Sequence, residues 1–108
     1  MSERVHKVNQ QIKEEVSSFL HTNLGAHNGI FSVTAVNTTP DLRYATIWYS
    51  YLGEDLKGFE RDLAEHSRAL QRYVNSRLTM KYVPKLAYRF DKSGEYAQQI
   101  SKIIDEAK

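Results

Sequence analysis

The residues of this 108-residue chain that are best placed to do chemistry are basic, and three of them would lie on one face of a helix. Arg68 and Arg72 each fall within about 20° of Arg61 if residues advance by about 100° along a helix. The apolar residues of the same segment fall on the opposite side: Phe59, Leu63, Leu70 and Val74. Guanidinium groups on one exposed stripe can bind phosphate oxygens or stack on an unpaired base, which indicates a nucleic-acid interface. A solvated helix face, partly paired with Asp62 and Glu65, is the competing interpretation.

Further basic residues follow this stripe. Residues 61–92 carry eight Lys/Arg and three Asp/Glu, a net charge of +5, whereas the whole chain has +2. Lys81, Lys85 and Arg89 alternate with aromatic and aliphatic residues, a pattern that suits RNA binding on a sheet but is also typical of a half-buried strand. Arg4 and Lys7 could extend the basic surface from the first helix. Concentrated positive charge favours a polyanionic partner.

The chain has no pattern typical of an enzyme, a metal site or a membrane protein. Its four histidines, His6, His21, His27 and His66, lack metal-ligand spacing, and no HExxH, Walker, GxGxxG or GxSxG motif occurs. The absence of cysteine excludes a disulfide scaffold and a thiolate nucleophile. No apolar run approaches the roughly 18 residues of a membrane span. We therefore expect a cytoplasmic protein that is not an enzyme and needs no cofactor, metal or small-molecule substrate.

Hydrophobic periodicity predicts a single α+β domain over residues 1–108. The predicted elements are a helix over 3–22, strands over 31–38 and 42–51, a long helix opening at 53–55, a strand over 82–90, and a last helix from 91. The inner face of that last helix would carry Ile100, Ile103, Ile104 and Ala107. A tight turn makes the first two strands antiparallel, whereas a right-handed helical crossover makes the second and third parallel.

Arg77 does not fit a straight central helix. At this position it would point to the apolar side, where an unpaired guanidinium is costly to bury. A bend or break in the helix would turn the following residues outward. His66, Ser67 and Arg68 interrupt the apolar stripe, so this is where we expect the kink.

Five stretches, taken in order, resemble the ribosome-binding factor A family. They are Arg4-Val5 with Gln10-Gln11-Ile12; Gly29-Ile30 through Val33 and Val36 to Pro40-Asp41-Leu42; Ala45-Thr46-Ile47-Trp48-Tyr49-Ser50; Arg77-Leu78 leading to Val83-Pro84-Lys85-Leu86 and Phe90-Asp91; and Asp91-Lys92-Ser93-Gly94-Glu95 followed by Ile100. The resemblance implies a type II KH-like fold, α-β-β-α(kinked)-β-α, in which a kink with Ala-x-Gly replaces the Gly-x-x-Gly loop. This chain has no Gly-x-x-Gly, but it departs from the family in having His66-Ser67-Arg68 at the kink.

The resemblance also implies a function. It suggests a monomeric, non-enzymatic assembly factor that binds the immature small (30S) ribosomal subunit, assists late maturation of its RNA, and is associated with growth in the cold. We expect the RNA-binding face to consist of Arg4, Lys7, Arg61, Arg68, Arg72, Arg77, Lys81, Lys85 and Arg89.

Two other interpretations remain open at this point. A generic KH-like domain would bind free single-stranded RNA and not a ribosomal particle. A small ferredoxin-like module would dimerise through the hairpin edge and bind a metabolite in a cleft.

Overall fold

A computed structural model describes residues 3–24 and 29–92 of the chain. The elements are α1 (Glu3–Asn23), β1 (Gly29–Thr38), β2 (Tyr44–Gly53), α2 (Leu56–Arg77) and β3 (Lys85–Phe90). Their order is the predicted one. The last predicted helix, with Ile100, Ile103, Ile104 and Ala107, lies outside the described residues.

The three strands form one mixed sheet in the order β1-β2-β3. β1 and β2 are antiparallel, and β2 and β3 are parallel, as the sequence predicts. A ferredoxin-like sheet is antiparallel throughout, so the parallel pair does not support that alternative. The right-handed path of the α2 crossover stays a prediction.

Both helices pack on one face of the sheet, which is why buried and exposed residues alternate along each strand. The buried face of α1 consists of Val5, Val8, Ile12, Val16, Phe19 and Leu20, and that of α2 of Phe59, Leu63, Leu70 and Val74. These confirm the predicted apolar stripes. Phe59 is fully buried at the centre, with its ring centroid 4.8 Å from that of Phe31 and 5.2 Å from that of Tyr51. The opposite face of the sheet carries the exposed strand positions, which include Ile30, Tyr44 and Leu52 beside polar and basic side chains.

Helix α2 begins one residue after an acidic cap. The Asp55 carboxylate accepts a hydrogen bond from the Gly58 backbone N–H at 3.0 Å, and a Cβ at position 58 would collide with that carboxylate. Glu54 and Asp55 therefore precede the helix, which begins later than the predicted 53–55, and its first turn holds no acidic residue. The cap satisfies one of the free N–H groups that every helix start exposes.

The bend or break expected at His66, Ser67 and Arg68 is not a break, because α2 runs without interruption through these residues. A bend of its axis there stays a prediction. Arg77 needs no break, because it lies at the rim between the two helices. Its Nε donates to the Glu15 carboxylate at 3.1 Å, and its guanidinium lies 5.9 Å from the centre of the Tyr73 ring.

Strand β3 begins at Lys85, later than the predicted residue 82. Pro84 has no N–H to contribute to a ladder, and its carbonyl accepts a hydrogen bond from Gln71 Nε2 at 3.1 Å. The Oε1 atom of Gln71 accepts from the Leu86 N–H at 2.9 Å. One side chain of α2 thus satisfies backbone groups on both sides of the strand start, where the free edge of β3 has no neighbouring strand.

We expect Gln71→Ala to lower the free energy of unfolding by about 1–3 kcal/mol, because the part-buried Leu86 N–H loses its acceptor. Urea unfolding followed by Trp48 fluorescence measures this. Gln11→Ala, at an exposed position of α1, is the matched control and should stay within about 0.5 kcal/mol of the parent. Equal stability of the two variants would show that the Gln71 bridge does not hold β3.

Candidate nucleic-acid interface

The arginine stripe of α2 is exposed as predicted. Arg61, Arg68 and Arg72 are all exposed, whereas the apolar residues on the other side of the helix are buried. Of the three, Arg68 lines a groove between α2 and β3, whose described lining does not include Arg61 or Arg72.

A groove of about 650 Å³ runs between α2 and β3. We call it the α2–β3 groove. Its cationic residues come from three elements: Arg68 from α2, Lys81 from the loop over 78–84, and Lys85 from the start of β3. Gln71 and Asn75 add amide groups along the helix side. None of the described residues that line this groove is acidic, so it suits an anion.

A second groove, of about 670 Å³, lies on the other side of the same loop. We call it the turn groove, because Asp41 and Arg43 of the β1–β2 turn line it together with Arg4 of α1. Lys81 and Lys85 line both grooves. The two concave surfaces are therefore parts of one basic region that crosses the loop.

The turn groove contains one carboxylate among its described lining residues, that of Asp41. Hydrogen bonds from the Thr39 hydroxyl (2.6 Å) and the Arg43 N–H (3.1 Å) hold the pKa of Asp41 below its ordinary value. Asp41 is therefore ionised at neutral pH, and its Oδ2 lies 4.0 Å from Arg43 Nε. This weak, exposed pair offsets part of the Arg43 charge.

The positive charges of the α2–β3 groove are less offset by carboxylates than those of the turn groove. Within residues 3–24 and 29–92, no carboxylate lies within ion-pair distance of Arg68, Lys81 or Lys85. In contrast, the Arg77 guanidinium is paired with Glu15. Since uncompensated charge is what attracts an anion, the α2–β3 groove is the stronger candidate site.

The structure does not bring every predicted site residue together. Arg4, Arg68, Lys81 and Lys85 line the grooves, whereas five exposed cations lie outside both linings: Lys7, Arg61, Arg72, Arg77 and Arg89. Arg89 is aligned with Trp48 of β2 on the sheet face away from the helices. As RNA contacts, all nine residues stay predictions.

Two groove residues were not among the predicted site residues. Arg43 is brought to Lys85 by the register of the parallel pair, in which the Lys85 N–H donates to the Arg43 carbonyl at 2.8 Å. Tyr82 was noted as part of an alternating strand, but it lies in the loop with 77% of its surface exposed. The turn signal next to Arg43 and the aromatic next to Lys81 are the sequence features that could have drawn attention to them.

The residues at the expected kink are bonded within the helix. The Ser67 hydroxyl donates to the Ala64 carbonyl at 2.8 Å, and His66 Nδ1 lies 2.9 Å from the Asp62 carbonyl. Such bonds to the preceding turn keep polar side chains satisfied without interrupting the helix. Ser67 and Arg68 both line the α2–β3 groove.

The described histidines with ring contacts pack against aromatic residues. His21 stacks on Phe31 with centroids 4.8 Å apart, and His66 lies edge-on to Phe19 at 6.4 Å. His27 lies outside the described residues. In the part of the chain that the structure describes, no group of three or more metal-ligating side chains occurs.

No described helix is long and apolar enough to span a membrane.

Comparison with known proteins matches residues 4–104 to the family model described as ribosome-binding factor A. A ribosome-binding factor A from Citrifermentans bemidjiense is 33% identical over 109 aligned residues, which cover 98% of this chain and 92% of the relative. One from Acetivibrio thermocellus is 30% identical, with 96% and 88% covered. The chain belongs to the ribosome-binding factor A family. The resemblance found in the sequence is thus confirmed.

Solved members of the ribosome-binding factor A family share the fold. The crystal structure of the Thermus thermophilus protein aligns with a TM-score of 0.68 at 19% identity and covers 79% of this chain and 93% of that one. A homology model of the same protein, fitted into the cryo-EM map of a 30S complex, aligns with a TM-score of 0.70 at 19% identity, covering 82% and 96%. The predicted KH-like α+β fold is therefore correct.

Tyr88 lines the α2–β3 groove, and burial raises its pKa above the ordinary value of about 10. An unfolded chain loses that proton near pH 10, whereas the folded protein keeps it, so stability falls as pH rises above about 10. We expect Tyr88→Phe to reduce this decline by about 1 kcal/mol between pH 10 and 11, and by about 1.4 kcal/mol per pH unit above about pH 11.

Urea unfolding at a series of alkaline pH values measures that slope. Tyr44→Phe, at a position 59% exposed, is the control for loss of a hydroxyl and should stay within about 0.5 kcal/mol of the parent at neutral pH. A Tyr88→Phe slope identical to the parent's would mean that the hydroxyl is solvated in the folded state.

Proposed function

We propose that this protein is a non-enzymatic ribosome assembly factor that binds the immature small (30S) ribosomal subunit and assists late maturation of its RNA. The observation that carries the proposal is the family match over residues 4–104. The Thermus thermophilus relative fitted into a map of a 30S complex supports the choice of subunit. The uncompensated cations of the α2–β3 groove supply a surface that suits RNA phosphates.

The proposed mode of action is binding alone. A small domain that binds one RNA conformation better than another shifts the population toward it, and this needs no bond to be made or broken. Arg68, Lys81 and Lys85 come from a helix, a loop and a strand, so their relative positions depend on the folded domain. We infer that the protein acts as a cytoplasmic monomer and matters most in the cold, where misfolded RNA rearranges slowly.

A second candidate function is binding to free single-stranded RNA. The exposed ring of Tyr82, which lines both basic grooves, favours it, because unpaired bases stack on aromatic side chains. The two candidates differ in their partner. Co-sedimentation with purified small subunits, large subunits and whole ribosomes, beside binding to free oligonucleotides, separates them.

Two double charge reversals, equal in net charge, test the site. We expect Arg68→Glu with Lys85→Glu to weaken binding to small subunits by at least about tenfold, because both side chains line the α2–β3 groove. Arg61→Glu with Arg72→Glu changes exposed cations outside both linings, so we expect at most about a threefold loss. The groove variant should also reduce the slope of log K against log salt by about two.

Circular dichroism must show that both variants are folded. If the stripe variant lost binding and the groove variant kept it, the RNA contact would lie along the exposed face of α2. If the parent protein did not sediment with small subunits at low salt, the assembly-factor proposal itself would be wrong.

A further inference from the structure

Tyr82 is a large side chain that the fold exposes in a fixed place. Its surface is 77% exposed, more than that of the other exposed large hydrophobic residues described. The next two residues are anchored: Val83 packs against the core, and Pro84 is fully buried with its carbonyl bonded to Gln71. The ring therefore projects from a backbone segment that is held against α2.

The surroundings of the ring are basic. Tyr82 lines both the α2–β3 groove and the turn groove, whose described linings together hold five cations and one carboxylate, that of Asp41. The cations are Arg4, Arg43, Arg68, Lys81 and Lys85. The Lys81 ammonium lies over the Tyr82 ring, 5.5 Å from its centre. An exposed aromatic ring within a basic surface combines the two elements that single-stranded nucleic acids bind.

We propose that Tyr82 is a stacking platform for an unpaired RNA base, and that the flanking phosphates bind in the two grooves beside it. Lys81 and Lys85 line both grooves and would contact the backbone on either side of the stacked nucleotide. The inference rests on the proposed RNA-binding function and identifies the kind of RNA that this region recognises: a single-stranded segment that crosses the 78–84 loop.

The chemistry around Tyr82 favours RNA over a protein partner and a single strand over a duplex. An aromatic anchor of a protein interface is usually surrounded by residues that exclude water, and lysine is rare among them. Tyr82, in contrast, lines the groove together with Lys81 and Lys85. Bases in a duplex are already stacked on their neighbours and offer phosphates but no free face. An unpaired base offers both.

Three substitutions at one position separate stacking from apolar contact. The probe is a single-stranded RNA of about ten nucleotides that contains one 2-aminopurine, whose fluorescence is quenched on stacking. We expect Tyr82→Phe to bind within about twofold of the parent and to keep the quenching, because the π face remains. Tyr82→Leu and Tyr82→Ala should each bind about tenfold more weakly and lose the quenching. Ile30→Ala, at a 73% exposed position outside both linings, is the control for lost apolar surface and should bind like the parent.

The same variants are then tested with small subunits, so that the two proposals can fail separately. Weaker subunit binding by Tyr82→Leu but not by Tyr82→Phe would support the platform in its ribosomal setting. If Tyr82→Leu bound both RNA and subunits as well as Tyr82→Phe, the stacking proposal would be wrong, although the assembly-factor proposal would stand. If the parent bound the oligonucleotide with quenching but no subunit, stacking would hold and the assembly-factor proposal would fall.

Discussion

The parallel pairing of β2 with β3 constrains the rest of the structure. Two neighbouring parallel strands cannot be joined by a tight turn, so the chain must cross over the sheet, and α2 is that crossover. The loop over 78–84 then has to return from the end of α2 to the start of β3. This return places a helix, a loop and a strand end around one concave surface. Gln71 holds that arrangement by bonding both Pro84 and Leu86.

The packing of the core explains why this surface faces solvent. Both helices cover the same face of the sheet, and the apolar residues of α2, Phe59 among them, pack in one core with the buried strand residues. The polar side of α2 and the outer positions of β3 must therefore face solvent. Arg77 is offset by Glu15 and Arg43 partly by Asp41, whereas Arg68, Lys81 and Lys85 have no such partner among the described residues. The surface can therefore attract an anion where its cations are not paired with carboxylates.

Membership of the ribosome-binding factor A family gives these grooves a biological setting, and the geometry suggests how they act. The side chains that line the grooves present charges, amides and the exposed rings of Tyr44 and Tyr82, which are groups that suit RNA. His66 and Ser67 are bonded to carbonyl oxygens of the preceding turn and leave α2 continuous, and a bend of its axis there stays a prediction. Arg68 adds a guanidinium to the helix side of the α2–β3 groove.

The sequence by itself determined the local features of this protein. The stripes of α1 and α2, the β1–β2 hairpin and the exposure of Arg61, Arg68 and Arg72 all follow from periodicity, which depends on neighbours within one element. The ordered family residues also identified the fold class. The start of β3 at Lys85, the ion pair of Arg77 with Glu15, and the meeting of Arg43 with Lys85 could not be predicted in this way. These contacts join residues far apart in the chain, so strand register and helix packing, which only the tertiary structure decides, determine which of the predicted cations share a groove.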